Sequence, residues 1–438
     1  MDTCRSRKVK LFHMSVSFVS PPPSLACLKS RSTKSINDDI LSYHRAHPPV
    51  LRSEAQPSID PYLTAGPFRF PPVAMPWPSS SLFTVRETAT SGRGVFATQL
   101  IPTGAHLLTC PDLAYGIVFR EYRREVCNWC FAYEQGDILP VRANKAALVW
   151  CSEACKQEWM REHGEEGIEA YAVVEELARK QAKSVNKEAI DKEEPVASGS
   201  SNTADAPREP SLEEVDQAWI KAEAQAELIV AARTLPRPSK PQRKAIAHAL
   251  ETKLDSMTIN HAISGILASK NHPSTWSNVE ELYASPQPYN TLDQLNAHTA
   301  SYLHLLALLP LSLLPHCTRE ILKTTLNRDA HNSFGIRSLD DDASEMFGYG
   351  TWPSASYWNH SCRPNITKSR QGRDWTFSTS REVKEGEELC ITYLGGEEKE
   401  VGVEKRREML EKAWKFVCGC EKCTEEAGQV DDAKRRLE

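Results

Sequence analysis

The spacing of apolar residues changes along the 438-residue chain and separates segments with different expected structures. Short apolar runs lie between residues 82 and 108, three- and four-residue apolar steps fill residues 213–328, and short runs return after residue 329. Short alternating runs are typical of strands, whereas a period near 3.6 residues is typical of helices. We therefore expect an α+β protein in which a helical segment separates two β-rich segments.

In the first β-rich segment, residues 82–85 and 91–97 flank a glycine turn, and a further run passes through Leu107 and Leu108 after Ile101-Pro102-x-Gly104. Such runs predict antiparallel pairing. In the second segment, strands are expected at three short runs, residues 333–336, 375–379 and 389–393. A charged helix at residues 397–414 is expected to follow them.

Two segments have a composition that does not favour a packed structure. Residues 1–78 contain many Pro and Ser residues, and residues 183–212 are rich in Glu, Lys, Ser, Asn and Pro. Because such segments bury too little apolar surface to offset the entropy of ordering, we predict a disordered tail and a disordered insertion. The tail is mildly basic, so a mitochondrial address stays open beside a solvated tail, and Met75 is a candidate start.

Composition and charge narrow the class of protein. The apolar fraction of 40% and charged fraction of 25% are ordinary for a globular chain. A net charge of −5 gives no reason to expect nucleic-acid binding. The longest apolar run, 303–314, contains Pro310 and is too short to cross a membrane, so we expect a buried helix.

Seven of the thirteen cysteines lie in short-spaced groups: Cys127/Cys130, Cys151/Cys155 and Cys418/Cys420/Cys423. With no clear secretory signal, this spacing favours metal ligation over disulfides and a reducing compartment, nuclear or cytoplasmic. A structural zinc ion takes four ligands in a tetrahedron, so the last group needs one more. The alternative is that these are reduced cysteines packed as small apolar side chains.

A compound motif gives the chain its strongest family signal. Residues 359–365 read NHSCRPN, residues 388–393 read ELCITY, and Phe416 stands just before the last cysteine group. Together these motifs resemble the carboxy-terminal half and post-SET zinc site of SET-domain protein lysine methyltransferases. The paired cysteines near residue 130 resemble the MYND finger of the SET-and-MYND proteins, here in a reduced, fungal-type form. The resemblance covers roughly residues 80–425.

The resemblance implies a SET β-fold of short antiparallel sheets with a threaded strand crossing, a helical insertion, a MYND-like module and a zinc tail. Composition and the resemblance together divide the chain into these parts, given by residue number: disordered tail 1–78, SET amino-terminal part 79–122, MYND-like finger 123–165, disordered insertion 183–212, helical insertion 213–328, SET carboxy-terminal core 329–396, post-SET helix and zinc site 397–425, and tail 426–438.

The resemblance further implies two zinc ions. Cys362 would complete the post-SET site with Cys418, Cys420 and Cys423. In the MYND-like finger one four-cysteine set is complete, namely Cys127, Cys130, Cys151 and Cys155. The second MYND set lacks a cysteine pair between residues 133 and 148 and a final cysteine, so we expect His163 to be a surface or capping residue.

Residue roles carry over motif by motif. Tyr393 is expected to orient the amine, because a phenol with a pKa near 10 is a poor base at neutral pH. The other matched residues are Gly92, Arg93, Gly94, Asn332, Asn359, His360 and Phe416 at the cofactor, and Phe334 and Trp414 along the lysine channel. For Phe334 a plain core-packing role is the alternative. Trp414 stands where animal members usually have a second Tyr.

The implied activity is S-adenosylmethionine-dependent methylation of a lysine in a protein or peptide, histone or otherwise. The competing class is a catalytically inactive, zinc-dependent interaction scaffold, with proline-rich motifs as candidate partners. Retained Gly92, Asn359, His360 and Tyr393 favour the enzyme, whereas Trp414 and the lost finger ligands favour the scaffold. The substrate and the number of methyl groups added cannot be read from the sequence.

Overall fold

The structure is a computed structural model that describes residues 77–88, 91–134, 136–190, 208–339 and 345–435. The strands are β1 (Phe83–Glu87), β2 (Arg93–Ala97), β3 (His106–Cys110), β4 (Tyr115–Val118), β5 (Val141–Ala143), β6 (Leu148–Trp150), β7 (Ser333–Arg337), β8 (Met346–Thr351), β9 (Asn359–His360), β10 (Ile366–Gln371), β11 (Asp374–Thr379) and β12 (Cys390–Ile391). The helices are α1 (Glu153–Ile190), α2 (Leu212–Thr234), α3 (Lys240–Glu251), α4 (Ser256–Asn271), α5 (Pro273–Glu280), α6 (Leu292–Leu308), α7 (Arg319–Asn332), α8 (Val403–Trp414) and α9 (Glu421–Arg435).

The strands form several small sheets, as expected for an α+β fold. β1 pairs with β2, β5 with β6, and two three-stranded sheets have the orders β10-β11-β3 and β4-β8-β7, all antiparallel. The pair β9 and β12 is parallel. One apolar core joins the sheets, and among its fully buried side chains are Phe83, Trp352, Trp358 and Phe377. The two β-rich segments therefore form one body.

Two features of the sheets were not predicted. β3 pairs with the distant β11, and β8 is a central strand in a stretch that reads Met-Phe-Gly-Tyr-Gly-Thr. Because glycines are depleted in strands, a stretch with two glycines does not predict a strand from the sequence. Gly348 is required by close packing, because a Cβ there would lie 1.9 Å from the carbonyl oxygen of Ile117 on β4.

The helical segment is confirmed, and side-chain caps begin its helices. Ser211 and Ser239 each form a capping box, with Glu214 and Gln242 respectively. Such reciprocal bonds satisfy backbone N–H groups at a helix start. The helices bury an apolar cluster of their own that includes Trp219, Ile263 and Leu305. None of the helices in the described part of the chain has the length and hydropathy needed to span a bilayer.

The disordered insertion predicted at 183–212 is too long at both ends. α1 continues to Ile190, and the chain is again ordered from residue 208, where Arg208 pairs with Glu214 at 2.6 Å. Residues 191–207, like most of the predicted tail at 1–78, lie outside the described residues. At the other end of the chain, the helix predicted at 397–414 is a 3₁₀ turn (Gly396–Lys399) followed by α8, and α9 covers most of the predicted tail at 426–438.

Candidate active site

The NHSCRPN motif is fastened to the strand that leads to Tyr393. β9 runs parallel to β12, and the Ser361 N–H donates to the carbonyl oxygen of Ile391 at 2.8 Å. Asn365 closes the motif from the other side: its Oδ1 accepts from the Cys390 N–H at 2.8 Å, and its Nδ2 donates to the Glu388 carbonyl oxygen at 2.8 Å. These bonds fix the relative position of two segments that are far apart in sequence.

Asn359 joins the motif to the amino-terminal glycine turn. Its Nδ2 donates to the Arg93 carbonyl oxygen at 3.1 Å and to Glu388 Oε1 at 2.8 Å. A Cβ at Gly94 would lie 2.9 Å from that nitrogen and 2.4 Å from Glu388 Oε1, so only glycine fits. Gly92 has φ +66° and faces open space. The turn thus combines a close approach to Asn359 with an open outer side.

Tyr393 lies in an aromatic group with a fixed hydroxyl. Its Oη donates to the Trp358 carbonyl oxygen at 2.9 Å. The centroid of its ring lies 5.2 Å from that of His360, 5.4 Å from that of Trp414 and 6.3 Å from that of Phe416. Burial raises the pKa of the phenol above its ordinary value, so the hydroxyl stays protonated at neutral pH.

His360 connects Tyr393 to the tail cysteines. The backbone N–H of Tyr393 donates to His360 Nδ1 at 2.9 Å, so Nδ1 is an acceptor. His360 Nε2 lies 3.2 Å from Cys362 Sγ and carries the proton of the neutral ring. Burial lowers the pKa of His360 to about 4, which agrees with a neutral imidazole.

The predicted tail ligands meet in one cluster, called here the tail cluster: Cys362, Cys418, Cys420 and Cys423. Their sulfur atoms all lie within 4.8 Å of one another. Cys362 Sγ is 3.9 Å from the sulfur of Cys418 and 3.5 Å from that of Cys423. A tetrahedral zinc ion with Zn–S bonds of about 2.3 Å implies sulfur separations of about 3.8 Å. The donor set and spacing therefore fit zinc.

Arg406 packs against the tail cluster and was not predicted. The side chain is buried, and its guanidinium donates to Cys423 Sγ at 3.6 Å and pairs with Glu426 at 2.7 Å. It also donates to the carbonyl oxygen of Val401 at 2.5 Å. A buried cation of this kind offsets part of the negative charge of thiolate ligands.

The predicted finger ligands also meet, in what we call the finger cluster: Cys127, Cys130, Cys151 and Cys155. Their sulfur atoms lie within 4.8 Å of one another. Cys151 Sγ is 3.6 Å from the sulfur of Cys130 and 3.5 Å from that of Cys155. This cluster fits a single zinc ion as well as the tail cluster does.

His163 is not the surface or capping residue that we expected. Its side chain is mostly buried, and its ring lies 4.6 Å from the Trp159 ring. Burial lowers its pKa to about 3. It comes immediately before Gly164, where α1 is interrupted at φ 67°. No local pattern around His163 indicates that the aromatic packing of this module encloses the imidazole.

Phe334 and Asn332 are held by contacts with other parts of the molecule. The Phe334 ring is buried against the rings of Trp352, Trp375 and Phe377. Asn332 is the last residue of α7, and its Nδ2 donates to the main-chain carbonyls of Tyr283 and Arg328 at 2.9 and 2.7 Å. For Phe334, the core-packing interpretation and a channel-wall role are compatible. The side-chain N–H groups of Asn332 are already used within the protein.

The residues around the glycine turn fit a nucleoside cofactor. The outer side of Gly92 is open, and Phe416 is a half-buried aromatic ring next to His360, at 6.0 Å between centroids. An aromatic face of this kind suits a stacked base. Arg93 points elsewhere, since its guanidinium donates to the Glu281 carbonyl oxygen and lies over the Tyr357 ring at 5.1 Å. Its backbone, not its side chain, belongs to the site.

Comparison with known proteins identifies the family. The SET domain model matches residues 92–394, which is more than half of the chain. The chain belongs to the SET domain family. The predicted SET fold is thereby confirmed, and the matched range contains both the glycine turn and Tyr393.

The chain is similar to several curated proteins. It is 27% identical to the potential protein lysine methyltransferase SET6 of Saccharomyces cerevisiae over 380 residues, 80% of this chain and 97% of the yeast protein. It is 34% identical to human protein-lysine N-trimethyltransferase SMYD5 over 84 residues, 19% of this chain and 20% of that protein. It is 34% identical to mouse histone-lysine N-methyltransferase SMYD3 over 100 residues, 23% and 22% respectively.

The chain thus spans almost all of the yeast relative but only about a fifth of the two SMYD proteins. The family and these relatives support the predicted activity, S-adenosylmethionine-dependent methylation of protein lysine by an enzyme of the SET-and-MYND type. They imply S-adenosylmethionine as cofactor and a protein as substrate. Each of the two four-cysteine clusters could hold a zinc ion.

Sequence reasoning missed four residues that hold the site together: Trp358, Asn365, Glu388 and Arg406. Asn365 and Glu388 lie inside the two motifs and could have been found as polar residues of a paired segment. Trp358 acts through its carbonyl oxygen, which no side-chain pattern reports. Arg406 is one of several charged residues on α8, and only the fold shows that it is buried.

Proposed function

We propose that this site methylates the side-chain amine of a protein lysine, with Tyr393 as the residue that orients the amine. The observation that supports this most directly is the fixed hydroxyl of Tyr393. Because Oη donates its proton to the Trp358 carbonyl oxygen, its lone pairs are free to accept a hydrogen bond from a lysine N–H. The chain's part in the reaction is then to hold a neutral amine in line for attack.

S-adenosylmethionine, when bound, supplies an electrophilic methyl group on a sulfonium sulfur. The turn at residues 92–94, together with Asn359, His360 and Phe416, would hold it, and we keep Asn332 as a weaker candidate. Tyr393 does not serve as the base, because burial raises its pKa further from neutrality. The amine proton is therefore lost to water, and the Tyr393 hydroxyl and the Trp358 carbonyl contribute positioning and electrostatic stabilisation.

The lysine would pass between the aromatic rings that line the approach to Tyr393. Trp414 faces the Tyr393 ring directly, with an angle of 42° between the ring planes. Phe334 would form the outer part of the wall. Aromatic faces suit an alkyl chain that carries a cationic or partly cationic head.

We propose one zinc ion in each cluster, and thus two per chain. A zinc ion in the tail cluster would hold the segment carrying Trp414 and Phe416 against the NHSCRPN motif. Names of the relatives that mention histone lysine suggest nuclear or cytoplasmic action. Proline-rich motifs remain a candidate class of further partner for the finger.

The test is Tyr393→Phe, with cofactor affinity measured by calorimetry and methyl transfer to a mixture of core histones measured by mass spectrometry. We expect nearly unchanged affinity and a loss of transfer of roughly 100-fold or more, because the hydroxyl acts mainly in the transition state. Equal transfer by the variant and the unmodified chain would refute the role of Tyr393. Failure of the unmodified chain to bind the cofactor would favour the non-catalytic scaffold.

A further inference from the structure

Lys368 lies on the inward face of an edge strand. Successive residues of a strand point to opposite sides, so Lys368 shares a face with Ile366 and Arg370, both of which are buried. Its partner across the sheet is the fully buried Phe377. The residue as a whole is nevertheless exposed, while its Nζ lies near two aromatic rings and a main-chain carbonyl. The side chain therefore remains in contact with solvent while its amine lies against the protein.

The Lys368 amine lies next to residues of the proposed lysine channel. Lys368 Nζ lies 5.3 Å from the centroid of the Phe334 ring and 5.9 Å from that of Trp375. It donates to the carbonyl oxygen of Thr392 at 3.2 Å, and Thr392 immediately precedes Tyr393. The amine of the protein's own lysine thus contacts a proposed wall residue and the main chain next to the residue proposed to orient the acceptor.

The charges around this amine favour its neutral form. Within the described part of the chain, no carboxylate forms an ion pair with Lys368, and its contacts are two rings and a carbonyl. Partial desolvation of the ammonium against the rings, and then the positive charges of Lys399 and Arg337, lower its pKa below the ordinary value. An ordinary surface lysine has a pKa near 10.4 and is almost entirely protonated at pH 8. Only the neutral amine has the lone pair that methyl transfer needs.

We propose that Lys368 is an acceptor for the chain's own methyl transfer, so that the enzyme methylates itself in cis at the mouth of the lysine channel. In this step the Nζ lone pair forms an N–C bond to the sulfonium methyl group. The C–S bond breaks with its electron pair remaining on sulfur, and the ammonium formed on Lys368 loses a proton to water. This inference rests on the proposed function.

The experiment incubates the full chain with S-adenosylmethionine and no other substrate, followed by cleavage after glutamate. Cleavage at Glu345 and Glu382 releases residues 346–382, in which Lys368 is the only lysine. We expect this fragment to gain the mass of a methyl group, at a rate per molecule that does not change over a tenfold range of protein concentration. Lys368→Arg should remove the signal, and Tyr393→Phe should reduce it at least tenfold.

Lys384→Arg is the matched control, because Lys384 is an exposed lysine outside this fragment; it should leave methylation of Lys368 unchanged. A second measurement needs no cofactor: at pH 8, Lys368 should react with an amine-selective acylating reagent several-fold faster than Lys384. Equal or slower labelling would contradict a desolvated, partly neutral amine.

The outcomes of these measurements bear differently on this inference and on the proposed function. Methylation of Lys368 that depends on Tyr393 supports both. Cofactor binding and histone methylation with an unmodified 346–382 fragment overturn the inference and leave the function standing. Absence of cofactor binding overturns both. A rate that rises in proportion to protein concentration would show transfer between molecules and would refute the cis arrangement.

Discussion

The tail cluster and the finger cluster present the same four sulfur ligands but differ in what they join. In the finger cluster, all ligands fall between Cys127 and Cys155, within one local module. In the tail cluster, Cys362 is 56 positions before Cys418. A metal ion that closes a long loop fixes two distant segments, and one of those segments here is the NHSCRPN motif.

The surroundings of the two clusters also differ: one is local and apolar, and the other is connected to the proposed active site. Near the finger cluster the neighbours are buried apolar side chains such as Leu139 and Trp150. The tail cluster contacts His360, whose other ring nitrogen accepts a hydrogen bond from the backbone of Tyr393. We therefore expect identical ligand sets to serve different purposes: one would support a local module, and the other would hold the tail segment against the proposed active site.

The largest effect is expected from removing one ligand of each cluster in turn. Cys420→Ser should abolish both cofactor binding and methyl transfer, because loss of the metal frees the segment that carries Trp414 and Phe416. Cys130→Ser should leave cofactor binding in place while destabilising the finger. Calorimetry with S-adenosylmethionine and transfer to core histones measure the two variants side by side.

Metal analysis provides the control for this pair. The unmodified chain should hold two zinc ions, and each variant should hold one. A stoichiometry near three would show that ligands outside the two clusters were missed. Equal loss of cofactor binding in both variants would contradict the division of roles, because it would make the finger as necessary to the site as the tail.

A smaller effect is expected from Arg406→Lys. Lysine keeps the charge but cannot reproduce the separate contacts of the guanidinium with Val401, Cys423 and Glu426. Loss of such a contact around a metal ligand typically costs about 10- to 100-fold in metal affinity. Competition with a chromogenic chelator should show one of the two zinc ions, that of the tail cluster, leaving more readily.

Arg373 offers a matched substitution near the finger cluster. Its guanidinium lies 3.9 Å from the centroid of the Trp129 ring and pairs with Glu162. These contacts do not include a ligand sulfur. Arg373→Lys should leave both zinc affinities within a few-fold of the unmodified chain. If Arg406→Lys weakens neither site, the guanidinium is a packing element only.

The sequence predicted most of the chemistry because the chemistry is carried by short motifs. The cysteine spacings predicted the finger set and three ligands of the tail set, and the family resemblance carried by NHSCRPN and ELCITY added Cys362 and pointed to Tyr393. The sequence predicted less of what joins the motifs. The pairing of β3 with β11 and the central place of β8 depend on contacts between residues far apart in sequence, and no local period encodes them.

Polar residues with a structural role were missed for a related reason. Arg406 is charged and lies on a helix with many charged residues, so its pattern predicts exposure, yet the fold buries it beside Cys423. Lys368 shows the reverse: alternation along β10 predicts a buried position, and the fold leaves it open. Burial at these two positions is decided by neighbours in space.

The smallest effect is expected at Trp414. This residue comes four positions before Cys418 of the tail cluster, and its ring faces that of Tyr393 at 5.4 Å between centroids. An indole N–H only donates, whereas a phenol can also accept a hydrogen bond. Loss of the acceptor would relax control over repeated methylation, and the added volume would oppose it. In a channel sized for one alkyl chain, we expect the volume to have the larger effect, so that transfer stops at the first methyl group.

Trp414→Tyr should then raise the rate or the number of methyl groups added by a few-fold, as measured by mass spectrometry of the product. Trp414→Phe separates the two causes, because it reduces the volume without supplying a hydroxyl. A higher rate or more methyl groups in both variants would assign the restriction to the volume of the indole. A gain in Trp414→Tyr alone would assign it to hydrogen bonding by the hydroxyl. Abundant trimethyl-lysine formed by the unmodified chain would refute the steric argument, since three methyl groups need more room around the amine than a channel narrowed by indole could give.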